Sequence, residues 1–291
     1  MQTIKVNKAL AQKVLSVVDK GLVKGLGDPE PGKMCVEAAV NYALGLPHGD
    51  QPKCVGSNVR EFKIALNDSY WPTDKDRTKG MRRLAVAQLG SDTLDQDEFL
   101  TKVGYRCMTT VLPVMVKNSI NEDKDNEFFK KHVNVKKLKL AVKKLESARD
   151  FDSAKEATGK VRDIYFASAY ASAYAYASAS ASASASDFAY ASAYAYASAS
   201  AFASAFAFAF ASASASDFAF APASAFASAF AFAFASSFAF APASASAFAQ
   251  KMPRFSLKIL NLIAQAGLDT LIEMKSPGVR YLGLCELNQS K

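Results

Sequence analysis

The 291-residue chain has two histidines, one tryptophan and four cysteines, and its residues 166–250 contain no lysine or arginine. Each scarcity excludes something. Cys35, Cys54, Cys107 and Cys285 are far apart and form no CxxC pair. That spacing excludes a disulfide scaffold and the paired ligands of a structural zinc site. Cys35, His48 and Cys54 would supply only three ligands at loose spacing, so no metal and no cofactor are expected. The N-terminus, MQTIKVNKALAQKV, spreads its lysines and lacks the apolar core of a secretory leader. The expectation is a cytoplasmic protein with reduced thiols and no membrane partner.

Charge is unevenly placed. The formal net charge is +8, but residues 166–250 hold only two charged side chains, Asp187 and Asp217. Residues 1–165 carry 29 Lys/Arg against 22 Asp/Glu, and residues 251–291 carry six against three. The chain therefore divides at its composition breaks into 1–165, 166–250 and 251–291.

The outer two segments have helical periodicity. Val6, Leu10, Val14, Val17, Val18 and Leu22 mark one apolar face between Ile4 and Lys24. Further helices are expected from about Met34 to Gly45, Val59 to Leu66, Lys75 to Leu89, Asp95 to Ile120, Val133 to Arg149 and Phe151 to Ile164. Pro113 should kink the fourth of these. In the tail, Leu257, Leu260, Ile263, Leu268, Leu271 and Ile272 give Phe255–Met274 an apolar face. A tail of this size cannot bury such a face alone. It is expected to pack back on the helical domain, leaving the middle block inserted between them.

The middle block alternates. Between Ala167 and Ala249, 39 of 42 odd positions are Ala; the exceptions are Asp187, Asp217 and Ser237. The even positions are Ser, Tyr, Phe and two Pro, and 166–250 holds 15 Phe and 6 Tyr. ASAYAYASAS recurs at 171–180 and 191–200, and FAFAPASA at 218–225 and 238–245, both 20 residues apart. A period of two places alanines on one face of a strand and hydroxyls with rings on the other. The fold class expected is therefore α+β: a helical globular domain with an inserted Ala-alternating β repeat, either a solenoid or a silk-like stacked sheet. Asp187, Asp217, Ser237, Pro222 and Pro242 would mark its turns. Tyr170, Tyr190, Phe210 and Phe230 would belong to aromatic ladders.

Residues 33–90 contain CVEAAVNYALGLPHGD at 35–50 and LNDSYW at 66–71, and the tail contains IEMKSPG at 272–278. In these segments the chain resembles a group of uncharacterised bacterial and phage-encoded proteins that also carry an Ala-rich low-complexity block. The resemblance implies this layout and a bacterial or phage origin, and it implies no activity.

Two chemical readings remain. Cys35 lies at the start of an expected helix, with His48 and Asp50 in the following loop, and Cys, His and Asp are the parts of a nucleophilic triad. The basic run KKLKLAVKK at 136–144, with Arg82 and Arg83, is the place where nucleic acid would bind. Acids follow it closely and no stacking aromatics are interleaved, so no nucleic-acid partner is expected. The function expected is structural: self-assembly through the repeat into an ordered polymer, with other copies of the chain as partners. The alternative is an enzyme or binding module using Cys35, His48 and Asp50, with the repeat as a spacer.

Overall fold

The computed structural model describes residues 4–69, 71–122, 124–125, 133–161, 163–164 and 253–286. The helices among the described residues are α1 (Lys8–Val18), α2 (Val36–Leu44), α3 (Ser57–Asn67), α4 (Asp74–Ala87), α5 (Gln96–Arg106), α6 (Leu112–Glu122), α7 (Val135–Glu146), α8 (151–161) and α9 (Pro253–Glu273). A 3₁₀ stretch, Pro277–Cys285, follows α9. No described helix is long and apolar enough to cross a membrane.

The expected α+β class is corrected. The described residues are 69% helical and form no sheet. Their one β feature is an isolated antiparallel bridge between Gly27 and Met34. The fold is helical, and no β-solenoid is assigned. The β half of the expectation rested on the period-two alanines of 166–250 alone. Period two sets faces only where strands exist, and alanine is also the strongest helix former. Those residues lie outside the described ones, as do the turn markers Asp187, Asp217, Ser237, Pro222 and Pro242 and the ladder residues Tyr170, Tyr190, Phe210 and Phe230.

Local chemistry sets the helix ends. Asn7 caps α1 by accepting from the Leu10 N–H at 2.9 Å, so α1 starts later than the Ile4 its apolar pattern suggests. Thr73 caps α4, accepting from Asp76 N–H at 3.1 Å. Asp95 caps α5, with Asp97 and Glu98 N–H groups donating to Oδ1. Asp150 and Ser153 cap α8 reciprocally. Gly45 closes α2 at φ 71°, a left-handed conformation that costs glycine little. Between α5 and α6 the chain widens into a π-helical turn at Cys107–Val111. Pro113 follows; it lacks an N–H, and its ring crowds the carbonyl four residues earlier, within that turn.

The chain divides into two units, Met1–Val103 with Gln250–Lys291, and Gly104–Ala249. In the second unit α7 packs on α6 and on the π turn. Leu138, Ala141, Val142 and Leu145 form its buried stripe. Tyr105 OH donates to the Ala148 carbonyl at 2.9 Å.

In the first unit α1 packs on α2 and α4, and α9 packs on α4 and α3. The α9 residues Ile259, Leu260, Ile263, Leu268 and Leu271 are buried. Each such side chain stabilises by about 1.5–3 kcal/mol relative to exposure. Gly267 admits the Phe62 ring: a Cβ there would lie 2.3 Å from Phe62 Cε1. Phe62 in turn stands edge-on to Phe99, ring centres 5.9 Å apart. The 3₁₀ stretch lies across α4 and α1. Ser276 Oγ donates to Ala87 O at 2.6 Å, and Tyr281 OH donates to Val6 O at 3.4 Å. Arg82 grips both carboxylate oxygens of Asp19 and also donates to the Cys285 carbonyl. Lys102 pairs with Glu273.

The tail backbone lies close against the end of α4 at Gly278, where a Cβ would sit 2.0 Å from Val86 O and 3.0 Å from Leu89 N. Backbone cannot yield there as a side chain can. Gly278→Ala should therefore cost about 1–3 kcal/mol in urea unfolding. Gly283→Ala, with nothing within 4 Å of the new methyl, should be near neutral. Equal costs at the two positions would contradict this docking.

Candidate functional site

The CVEAAVNYALGLPHGD and LNDSYW segments meet inside the first unit. Glu37 lies in the first turn of α2, and Lys63 lies midway along α3. Both are completely buried, and Lys63 Nζ lies 3.0 Å from Glu37 Oε1. No other described group hydrogen-bonds either carboxylate oxygen or the ammonium. The pair is a contact between opposite charges in the buried interior.

Asn67, also buried, joins three segments. Its Oδ1 accepts from Val36 N–H at 3.4 Å, and its Nδ2 donates to Val23 O and Asp68 Oδ1. Its carbonyl accepts from Arg77 Nε at 2.8 Å. Asp68 Oδ1 also accepts from Gly25 N–H. Trp71 Nε1 donates back to Leu66 O. Asn41 Nδ2 donates to Gly49 O at 2.7 Å and so ties α2 to the PHGD loop. Asn41, Asn67 and Asp68 thus satisfy backbone groups at the ends and connections of α1, α2 and α3.

Burial pushes the Glu37 carboxyl up, against the pull of the Lys63 charge and then of Arg60. Burial pushes the Lys63 ammonium down, against the Glu37 charge. A lysine with a lowered pKa is the kind that serves as a nucleophile, but a side chain with no exposed surface meets no substrate. The pair is a lock between α2 and α3.

The sequence candidates lie apart from one another chemically. Cys35 caps α2, its Sγ accepting from Ala38 N–H at 3.4 Å. Burial raises its thiol pKa, and the Ala38 N–H only partly opposes that. His48 is exposed, with Nε2 3.0 Å from Gly27 O. Asp50, half-buried, reaches the pair only as a distant charge on Glu37. No hydrogen bond joins Cys35, His48 and Asp50 to one another. Among the described residues no three His, Cys, Asp or Glu side chains converge as metal ligands. Burial also pushes the Cys54 thiol up to about 11 and the Cys107 thiol up to about 12. Cys285 is raised by burial as well, with Arg82 opposing. Arg82 is mostly buried against Asp19, so it adds nothing to a basic surface.

Sequence reasoning missed Glu37 and Lys63. The signal available was an acid inside the apolar run Val36–Val40 and a lysine between Phe62 and Ile64. No family model, no curated protein and no solved structure matches the chain.

Two measurements check this site. Removing one partner strands the other charge in the core, so Glu37→Gln or Lys63→Met should each lose about 3–5 kcal/mol of unfolding free energy. Replacing both with methionine should recover most of that loss; additive losses in the double variant would contradict an isolated pair. A thiol reagent should modify none of the four cysteines rapidly in the native protein and all four in denaturant. Fast native labelling of Cys35 would instead mark an accessible nucleophile.

Proposed function

We propose that the chain is a self-associating protein whose folded helical unit holds both ends of an insert that joins copies together. One observation carries this reading. The tail, α9 with the 3₁₀ stretch, packs on α1, α3 and α4, although residues 104–249 separate it from them in sequence. Both ends of that insert are therefore tied to one folded body. The insert includes residues 166–249, which carry 21 aromatic side chains, no Lys or Arg and two acids. A segment so apolar and so short of charge lacks the composition of a solvated linker. Association between copies removes its apolar surface from water.

The reading needs no substrate and no cofactor. A thiol nucleophile is not favoured, because Cys35 is buried and its thiol is shifted up. The chain's partner is another copy of itself.

Sedimentation velocity tests this. The full chain should form concentration-dependent oligomers at micromolar concentration. A variant in which a short Gly/Ser linker replaces 166–250 should sediment as a folded helical monomer. A monomeric full chain would refute the proposal. Oligomers that survive the deletion would move the association to the helical part.

A further inference from the structure

The outer face of α7 carries a charge pattern that forms no ion pair with a described acid. Lys136, Lys137, Lys139, Lys143 and Lys144 are all exposed on this twelve-residue helix, opposite the buried stripe of Leu138, Ala141, Val142 and Leu145. Leu140 stands among them with 57% of its surface exposed. Residues three and four apart are neighbours on a helix. The four such neighbours of Leu140 on α7 are Lys136, Lys137, Lys143 and Lys144, so an exposed leucine is ringed by lysines.

None of the five lysines forms an ion pair with a described acid. The one acid of α7, Glu146, is taken by Lys117, and Glu156, whose charge Lys144 influences, is taken by Lys160. Lys139 also has like-charged neighbours at both Lys136 and Lys143, an arrangement that weakens a helix. Local helix stability does not account for this face.

We infer that the outer face of α7 is a docking surface for anionic lipid headgroups, with Leu140 entering between them. Two features favour a lipid surface over a nucleic acid. The face holds lysines and no arginine, which suits diffuse attraction to a charged plane better than forked contacts to phosphates or bases. A leucine at its centre gains only where the partner offers an apolar layer beneath its charge, and lysine stems can lie along such a layer. This docking is independent of self-association through 166–250, and the tests separate the two.

The experiment is co-sedimentation of the full chain with vesicles made of equal parts phosphatidylserine and phosphatidylcholine, and with phosphatidylcholine vesicles alone. Expected is binding to the anionic vesicles that weakens steeply with added salt, and much weaker binding to neutral ones. Lys139→Gln with Lys143→Gln should lower the anionic partition coefficient on the order of tenfold or more. Leu140→Ser should lower it severalfold and keep the salt dependence. All variants should melt as the parent does, because every changed side chain is exposed. Equal binding to both vesicle types, or variants that bind like the parent, would overturn the proposal and place any vesicle binding elsewhere in the chain. Binding of a DNA duplex without binding of anionic vesicles would overturn it in favour of a nucleic-acid surface.

Discussion

The burial of α9 against α3 and α4 is the contact on which the first unit depends. An apolar helix at the end of a chain has no core of its own and must find one. Here it finds Phe62, which enters the space left by Gly267, and its face closes over α4. The 3₁₀ stretch then crosses to α1, where Arg82 holds Asp19 and the Cys285 carbonyl together. Residues 4–103 and 253–286 thereby belong to one body. Such closure has a kinetic consequence. The unit cannot complete its core until the tail has been made, after the whole insert, so its contacts are of high sequence separation and late formation.

Beneath this closure lies the Glu37–Lys63 pair. A buried ion pair adds little net stability, since desolvation offsets much of the attraction. It does penalise any arrangement in which α2 and α3 slip, because a slip strands both charges. Asn67 does similar work with hydrogen bonds, linking the start of α2 to the loop after α1 and to Arg77. Residues of the two distinctive sequence segments thus meet at a shared internal junction.

The sequence made the helices legible wherever an apolar face was needed. The periodicities around Val14 and Val18, Leu138 and Val142, and Ile263 and Leu271 all fall on helices, because a 3.6-residue repeat has no other use. The start of α1 was less legible, since Asn7 acts through a hydrogen bond to the Leu10 amide rather than through pattern. The π turn at Cys107–Val111 was foreshadowed by Pro113 only as a kink. The β expectation came from a period of two read against alanine's opposing helix propensity, and the described residues supply no strand to support it. The buried pair was hidden because a glutamate and a lysine in amphipathic segments ordinarily face water. Only the packing of α2 on α3 turns them toward each other.

Native-state hydrogen exchange read peptide by peptide tests the closure most directly. If α9 completes the core, its amides between 258 and 273 should open together with those of α3 and α4, with the same free energy and the same denaturant dependence. If α9 instead exchanges in an independent, lower-energy opening while α3 and α4 stay protected, the tail is an appendage, and the insert is not held at both ends by one folded unit.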